Sequence, residues 1–292
     1  MKLDLVMWTY NGERTLNPVL QQINRVVPRS LVGQKLIVDD GSTDQTTAIA
    51  KCRGWKVIHN EGKGISDGAN TALKHVRADY FASFEQDLLL SPYWFSRMQQ
   101  LIETEQVGAC SGVRFADRPL AVHHLQQYVM HKYRGEYALS PWLKSRRWSA
   151  FTLGKSLDNT LYRTGAVLEA GGFPCTHTNV GIDTALAYAL DRAGYRWLVD
   201  CNIQSIHLRE NLRHELKHQE WYGSQLPSVW RYVHSLGYPS YMGRWSVVWR
   251  LFNSPLTGIF VALKTKEPSV AVVHPLMRLY FTKGLLKAGG KL

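Results

Sequence analysis

Four short apolar runs, each ending beside polar residues and each followed by a stretch with helical spacing, restrict this chain more than any other feature. Leu3–Thr9 (LDLVMWT), 35–40 (KLIVDD), 55–60 (WKVIHN) and Tyr80–Phe84 (YFASF) are too short for helices and read as strands, the first two of them buried. After the first run, 15–27 sets Leu16, Leu20, Ile23 and Val27 on one stripe. Asp44 stands where it can cap a helix over 45–52, and 66–76 and 92–103 are the next two helices, the last with Pro92 at an early position where a missing N–H costs little. Strands alternating with helices predict βαβ units, a parallel sheet and right-handed crossovers. Ligands of such sheets bind beyond the carboxyl ends of the strands. Thr9-Tyr10-Asn11, Asp39-Asp40, Asn60 and Glu85-Gln86-Asp87 all stand at those ends. Four separate segments are therefore expected to bring hydrogen-bond acceptors to one crevice.

Beyond residue 115 the pattern weakens, with a helix over 120–133. It then resumes as a strand over 160–163, a helix over 165–170, a Gly171-Gly172-Phe173-Pro174 turn and a helix over 182–193 ended by Gly194. Two strands, 195–199 and 203–208, follow. Residues 209–292 read as helical, aromatic and basic. Their most apolar stretch, 245–263, is interrupted by Arg250, Asn253, Pro255 and Gly258, which argues against a spanning helix and leaves an interfacial one.

Hydrophobic residues at 45% and charged residues at 20% of 292 mark a globular chain with a sizeable core. The formal net charge is +12, and 209–292 alone carries twelve Lys/Arg against four Asp/Glu. Such a surface attracts phosphates of any kind, so charge by itself does not choose among nucleic acid, anionic lipid and nucleotide. No helix-turn-helix, zinc or RNA-binding signature accompanies it, and nucleic acid is not expected as a partner. No G-x-G-x-x-G follows the first strand, which argues against a nicotinamide dehydrogenase. The same position, Thr-Tyr-Asn-Gly-Glu, lacks the Gly-rich loop with Arg and Lys that a nucleotidyltransferase would show. The four cysteines form no C-x-x-C pair, and Met1-Lys2-Leu3-Asp4 runs straight into a strand pattern. The expectation is a cytoplasmic chain with free thiols.

The sharpest motif is V-D-D-G-S-T-D at 38–44. Paired carboxylates before a Gly-Ser turn can accept hydrogen bonds from a base N–H and from ribose hydroxyls. An ordinary strand-turn-helix cap would use Asp44 alone. W-T-Y-N-G-E at 8–13, N-E-G-K-G at 60–64 and F-E-Q-D at 84–87 join it in order, followed by G-G-F at 171–173, G-I-D at 181–183 and His207. Over roughly residues 3 to 208 this ordered set resembles the family 2 glycosyltransferases, which have the GT-A fold.

That resemblance implies an α/β, Rossmann-like and mostly parallel sheet flanked by helices, with a helical C-terminal extension. It implies a nucleotide-sugar half over 1–115, an acceptor half over 116–208 and the basic region over 209–292. By position, Thr9, Tyr10, Asn11, Glu13 and Asp40 correspond to nucleobase and ribose contacts. Lys63 corresponds to a diphosphate contact, with a solvated loop lysine as the alternative. Glu85-Gln86-Asp87 occupies the Asp-x-Asp metal motif, with Asp87 as the direct ligand of Mn2+ or Mg2+ and His207 as a further one; Glu85 and Gln86 fall to the nucleotide-sugar side. Glu85 stands where the family has Asp, so its role is open between ribose and metal-bound water.

Asp183 corresponds to the base that takes the acceptor proton in inverting transfer, and a helix N-terminus favours the ionised carboxylate such a base requires. Ile182 stands where the family has Glu. The implied partners are a UDP- or GDP-linked sugar and a glycan or lipid-linked acceptor, with peripheral membrane contact through 209–292. A polyprenyl-phosphate sugar transferase is the alternative enzyme, and a catalytically inactive sugar-nucleotide-binding protein is the alternative without chemistry. His123-His124 and Arg146-Arg147 read equally as acceptor-side or solvated residues, and His177 and His214 as surface histidines.

Overall fold

The computed structural model describes residues 1–118, 120–137, 155–175, 179–208, 211–237 and 244–288, without the side chains at 130–137 and 244–246. In it β1 (Leu3–Thr9), α1 (Glu13–Val26), β2 (Val32–Asp39), α2 (Thr46–Cys52), β3 (Lys56–His59), α3 (Gly64–His75) and β4 (Tyr80–Phe84) alternate as the apolar runs require. β1 pairs in parallel with both β2 and β4, and β2 with β3. A buried carboxylate ties these starts together. Asp4 accepts hydrogen bonds from the Gln34 N–H (3.1 Å) and side-chain amide (2.8 Å), and from the Arg77 (2.7 Å) and Ala78 (3.2 Å) N–H groups.

The next elements are β5 (Leu88–Leu89), α4 (Trp94–Ile102), β6 (Val107–Ala116), α5 (Ala121–Tyr137), β7 (Asn159–Arg163), α6 (Thr164–Glu169), α7 (Ile182–Arg192) and β8 (Arg196–His207). One eight-stranded sheet results, ordered β3-β2-β1-β4-β7-β6-β8-β5. Past β4 it turns antiparallel: β7 runs against β4 and β6, and β5 against β8. Leu5, Met7, Leu16, Leu20, Ile23 and Ile37 sit in its main core. Phe173, of the Gly-Gly-Phe turn, meets Trp8, Phe81 and Tyr162 edge-on.

Several local expectations are corrected. Residues 195–199 and 203–208 are one strand, because the polar interruption at Asp200-Cys201-Asn202 is absorbed. Asp200 is buried, held by Arg97 at 2.8 and 3.0 Å, and accepts from the Asn202 N–H at 2.9 Å. β6 was not expected. Gln45, and not Asp44, is the N-cap of α2; Asp44 instead takes the N–H groups of Thr46 (2.9 Å) and Glu13 (3.1 Å). Pro92 precedes α4, which begins at Trp94.

The chain divides into two compact units, Met1–Arg114 with Glu136–Leu208, and Phe115–Gly135 with Arg209–Leu292. The second contains α5 up to Gly135, α8 (Leu212–Ser235), α9 (Arg244–Phe252), α10 (Ser254–Thr265) and α11 (Val270–Lys287). α8 and α11 cross on glycines: a Cβ on Gly223 would strike the Phe281 carbonyl, and one on Gly284 the Glu220 carbonyl. Two backbones can approach this closely only without side chains between them. Among the described residues no helix is long and apolar enough to cross a membrane.

Candidate active site

Strand register assembles the site. Thr9 lies opposite Asp39, and Asp39 opposite His59, so β1, β2 and β3 stop level with one another. The ladder continues one residue further, with the Asp40 N–H on the Thr9 carbonyl (2.9 Å) and the Asn60 N–H on the Asp39 carbonyl (2.9 Å). Side chains then lock the loops. Thr9 Oγ1 donates to Asp39 Oδ1 (3.4 Å), and Asp39 Oδ2 takes the N–H groups of Gly41 (3.2 Å) and Ser42 (2.9 Å). Asp40 accepts from Asn60 Nδ2 (2.7 Å) and from the Gly64 N–H (3.1 Å). Asn11 Oδ1 accepts from the Thr43 N–H (2.9 Å), and Glu13 Oε2 from the Gln45 N–H (2.9 Å). Gln86 extends β1 like a missing strand: its Oε1 takes the Tyr10 N–H, and its Nε2 donates to the Tyr10 carbonyl, both at 3.1 Å. The four acceptor-bearing segments do meet at one edge.

The antiparallel strands complete the centre. Phe84 pairs with Asn159, which sets Asp158 beside Glu85. Leu88 pairs with His207, and the Leu208 N–H reaches the Asp87 carbonyl (2.8 Å), which sets His207 beside Asp87. His207 Nε2 lies 3.0 Å from Glu85 Oε2 and 3.1 Å from Asp87 Oδ1. Glu85, Asp87 and His207 each offer one ligand atom within 4.8 Å of the others, the one such metal-capable cluster among the described residues. Arg114 Nη1 bridges Glu85 (3.2 Å to each oxygen) and Asp158 Oδ2 (2.8 Å).

Charge is distributed unequally over this centre. Burial opposes ionisation of Glu85, but the charges of His207 and Arg114 outweigh it and hold that carboxyl well below its usual range. Burial, with the neighbouring Glu85 charge, pushes Asp158 well above its usual range, so Asp158 keeps its proton and hydrogen bonds to Glu85. For His207, burial works against the cation, yet the carboxylates of Glu85 and Asp87 raise it to about 9.

Asp183 stands in the first turn of α7, after Gly181 in the left-handed region, and its Oδ1 accepts from the Thr184 N–H (2.6 Å). Burial raises the Tyr162 hydroxyl well above its usual range, and the charge of Asp183 adds to that rise. Lys63 is exposed at the head of α3. That helix end is already engaged: the Gly64 N–H goes to Asp40, the Lys63 N–H to Asp67 (2.9 Å) and the Ile65 N–H to Asn179 Oδ1 (2.9 Å). Gly64 has φ +77°, and a Cβ there would collide with Asn179 Oδ1, so only glycine fits this loop. α3 also grips the Gly-Gly-Phe-Pro turn, through Asn70 to both backbone groups of Phe173 (2.8 and 2.9 Å) and Ser66 to the Pro174 carbonyl (2.8 Å).

The sequence reading missed Arg114, Asp158 and Lys155. A lone arginine in the apolar run 107–116 was the one local hint. Of the weaker candidates, His123 is buried, with Nδ1 2.6 Å from the Ala116 carbonyl, and His124 lies 3.9 Å from Glu267. His214 packs its ring on His218. His177, Arg146 and Arg147 lie outside the described residues.

Buried Lys155 carries a pH prediction. Burial lowers its ammonium to about 7, against the opposing pull of Asp183. The unfolded lysine titrates near ~10.4, so between those two values the unfolded chain binds more protons. Stability therefore rises with pH across that window, at up to roughly 1.4 kcal/mol per pH unit, and the cost of burying the charge is in full force below pH 7. Lys155→Met is expected to flatten this rise. Urea unfolding of both proteins at pH 6.5, 8 and 9 measures it, and parallel curves would refute it.

Residues 4–158 match the family model described as Glycosyl transferase family 2. The low-salt glycan biosynthesis hexosyltransferase Agl6 of Haloferax volcanii is 29% identical over 106 residues, covering 36% of this chain. That match takes in only 25% of the relative's own length. The mannosyltransferase PcManGT of Pyrobaculum calidifontis, solved with GDP-Man and Mn2+, superposes with a TM-score of 0.64 at 17% identity, over 100% of this chain and 88% of that one. TarS 1-349 of S. aureus with UDP-GlcNAc gives 0.59 at 15%, over 99% and 92%. Glucosyl-3-phosphoglycerate synthase of Mycobacterium tuberculosis, with Mn2+, UDP and glucosyl-3-phosphoglycerate, gives 0.56 at 16%, over 82% and 81%. At these identities the likeness carries the fold.

Proposed function

From the premise that the chain belongs to glycosyl transferase family 2, we propose that it moves a sugar with inversion from a UDP- or GDP-linked donor to a hydroxyl of a glycan or lipid-linked saccharide. The observation that carries this reading is the convergence of Glu85, Asp87 and His207 where β4, β5 and β8 meet. Two hard carboxylates and an imidazole suit Mn2+ or Mg2+. Such an ion, when bound, supplies charge stabilisation to a diphosphate leaving group. The solved relatives that carry Mn2+ with GDP-Man or UDP support the same chemistry.

The chain's own residues do the rest. Thr9, Tyr10, Asn11, Glu13 and Asp40 hold the base and ribose, on loops that Asp39, Gln86 and Asn60 keep rigid. Rigid loops fix the reacting carbon before any bond breaks. Lys63 reaches from its exposed position to the phosphates. Arg114 and protonated Asp158 hold Glu85 ionised and oriented toward Asp87 and His207. Asp183 takes the proton of the acceptor hydroxyl as its oxygen attacks. In this reading 1–115 serves the donor and 116–208 the acceptor.

Thermal-shift measurement with UDP, GDP, dTDP and their sugars, with and without Mn2+, tests it. A ligand at a hundredfold its Kd stabilises the native state by about 2.7 kcal/mol. One base is expected to raise the melting temperature only when Mn2+ is present. No shift with any nucleotide would reject the proposal. A polyprenyl-phosphate acceptor is a second reading, favoured by the Gly62-Lys63-Gly64 loop.

A further inference from the structure

Within the helical unit, α9 and α10 present large apolar side chains to solvent. Trp249 is 67% exposed, Phe252 77%, Leu256 69% and Leu263 75%, with Ile259 and Phe260 beside them. On α10, positions 256, 259, 260 and 263 fall on one stripe, while Ser254, Gly258, Val261 and Ala262 are buried on the other. This helix is therefore apolar on both sides, although only one side has protein to pack on. α11 adds a line at i, i+7 and i+14, Val272, Leu279 and Leu286, each at least half exposed. A face of this kind on a chain in water marks a surface meant to be covered.

Charge chooses the cover. Between 244 and 287 stand seven basic residues and one acid, Glu267. A second copy of the face would bring cations against cations. Arg250 and Arg278, on α9 and α11, line one small cleft with Val247, Leu251, Phe281 and Thr282. Both arginines are exposed to solvent, where a lipid phosphate can meet their guanidinium groups. None of these helices can span a bilayer. Apolar side chains edged by Lys and Arg suit the boundary between head groups and acyl chains.

We propose that α9 and α10 lie in the plane of an anionic bilayer, with Trp249, Phe252, Leu256, Ile259, Phe260 and Leu263 inserted and Arg250 and Arg278 on a lipid phosphate. This deepens the reading above, since it brings a lipid-linked acceptor to the enzyme, and it rests on that reading only for the acceptor.

Flotation of the full chain with vesicles of phosphatidylcholine, with and without phosphatidylglycerol, tests it. The protein floats with anionic vesicles, floats less in high salt, and stays behind with phosphatidylcholine alone. Leu256→Glu with Leu263→Glu lowers the partition coefficient by roughly a hundredfold and leaves the melting curve unchanged, because both side chains are exposed. Arg250→Gln with Arg278→Gln removes the preference for phosphatidylglycerol. The proposal falls if the protein stays soluble with anionic vesicles at low salt, or if the leucine variant floats like the parent. It also falls if the parent instead forms a dimer, by analytical ultracentrifugation, that the leucine variant dissolves. Donor hydrolysis without vesicles reads the transferase activity separately, so failure of one proposal is distinguishable from failure of the other.

Discussion

Asp183→Asn is expected to cut kcat for transfer about a thousandfold, in the range a general base contributes, or about 4 kcal/mol of barrier. Asparagine keeps the shape of the side chain and an oxygen for the Thr184 N–H, so the start of α7 stays in place. It cannot take a proton at neutral pH. Donor binding, measured as the Mn2+-dependent thermal shift, is expected to match the parent, because Asp183, in the first turn of α7, has no nucleotide contact assigned to it. Steady-state kinetics with varied acceptor decide the matter. A loss confined to KM would make Asp183 a positioning residue. Little loss at all would favour an acceptor that arrives already ionised, as a polyprenyl phosphate does, and would remove the hydroxyl acceptor from the proposal.

Asp87→Ala is expected to have a comparable effect through a different observable. It removes one of three ligand atoms while the backbone carbonyl of residue 87 still receives the Leu208 N–H. Stabilisation of a leaving diphosphate by a divalent ion is worth several kcal/mol, so donor hydrolysis and transfer should both fall by at least about a thousandfold. Titration calorimetry should show weakened Mn2+ uptake, and nucleotide should no longer raise the melting temperature in a metal-dependent way. The side chain is 25% exposed, and Arg114, Glu85, Asp158 and His207 keep their mutual contacts, so the fold should survive. Parental activity in this variant would move the metal elsewhere or remove it from the mechanism.

The sequence made the parallel half readable because β1, β4 and the end of β2 are buried on both faces and its helices carry apolar stripes, two signals that need only neighbours along the chain. The crevice followed, since polar residues ending parallel strands must gather on one edge. The antiparallel half was less readable for physical reasons. β6 is almost wholly buried, so no alternation marks it, and Gly108 and Gly112 dilute its strand signal while letting Tyr195 and Ile203 pack against it. β8 looked broken because Asp200 resembles a turn residue until Arg97, 103 residues earlier in the chain, neutralises it. Asp158 belongs to the site only through the β4–β7 register, a pairing between segments 75 residues apart (Phe84 with Asn159), and Arg114 only through that of β6 with β7 (Ser111 with Thr160), and no local pattern encodes either. Lys155 lies outside every strand and helix, and its burial is a product of the tertiary fold that the local sequence does not mark.

The clasp between α3 and the segment after β7 has a consequence for how such enzymes diversify. Asn179 fills the amide of Ile65 across 114 residues of chain, Asn70 and Ser66 hold Phe173 and Pro174, and Gly64 leaves no room for anything larger. Residues 60–70, on one side, and 171–175 with Asn179, on the other, thus behave as a lock and its key cut from one blank. A chimera that imports either stretch alone from a homologue leaves amides without acceptors, whereas importing both together preserves the fit. Shifts in donor preference and shifts in acceptor preference are then expected to travel as linked changes rather than to accumulate separately.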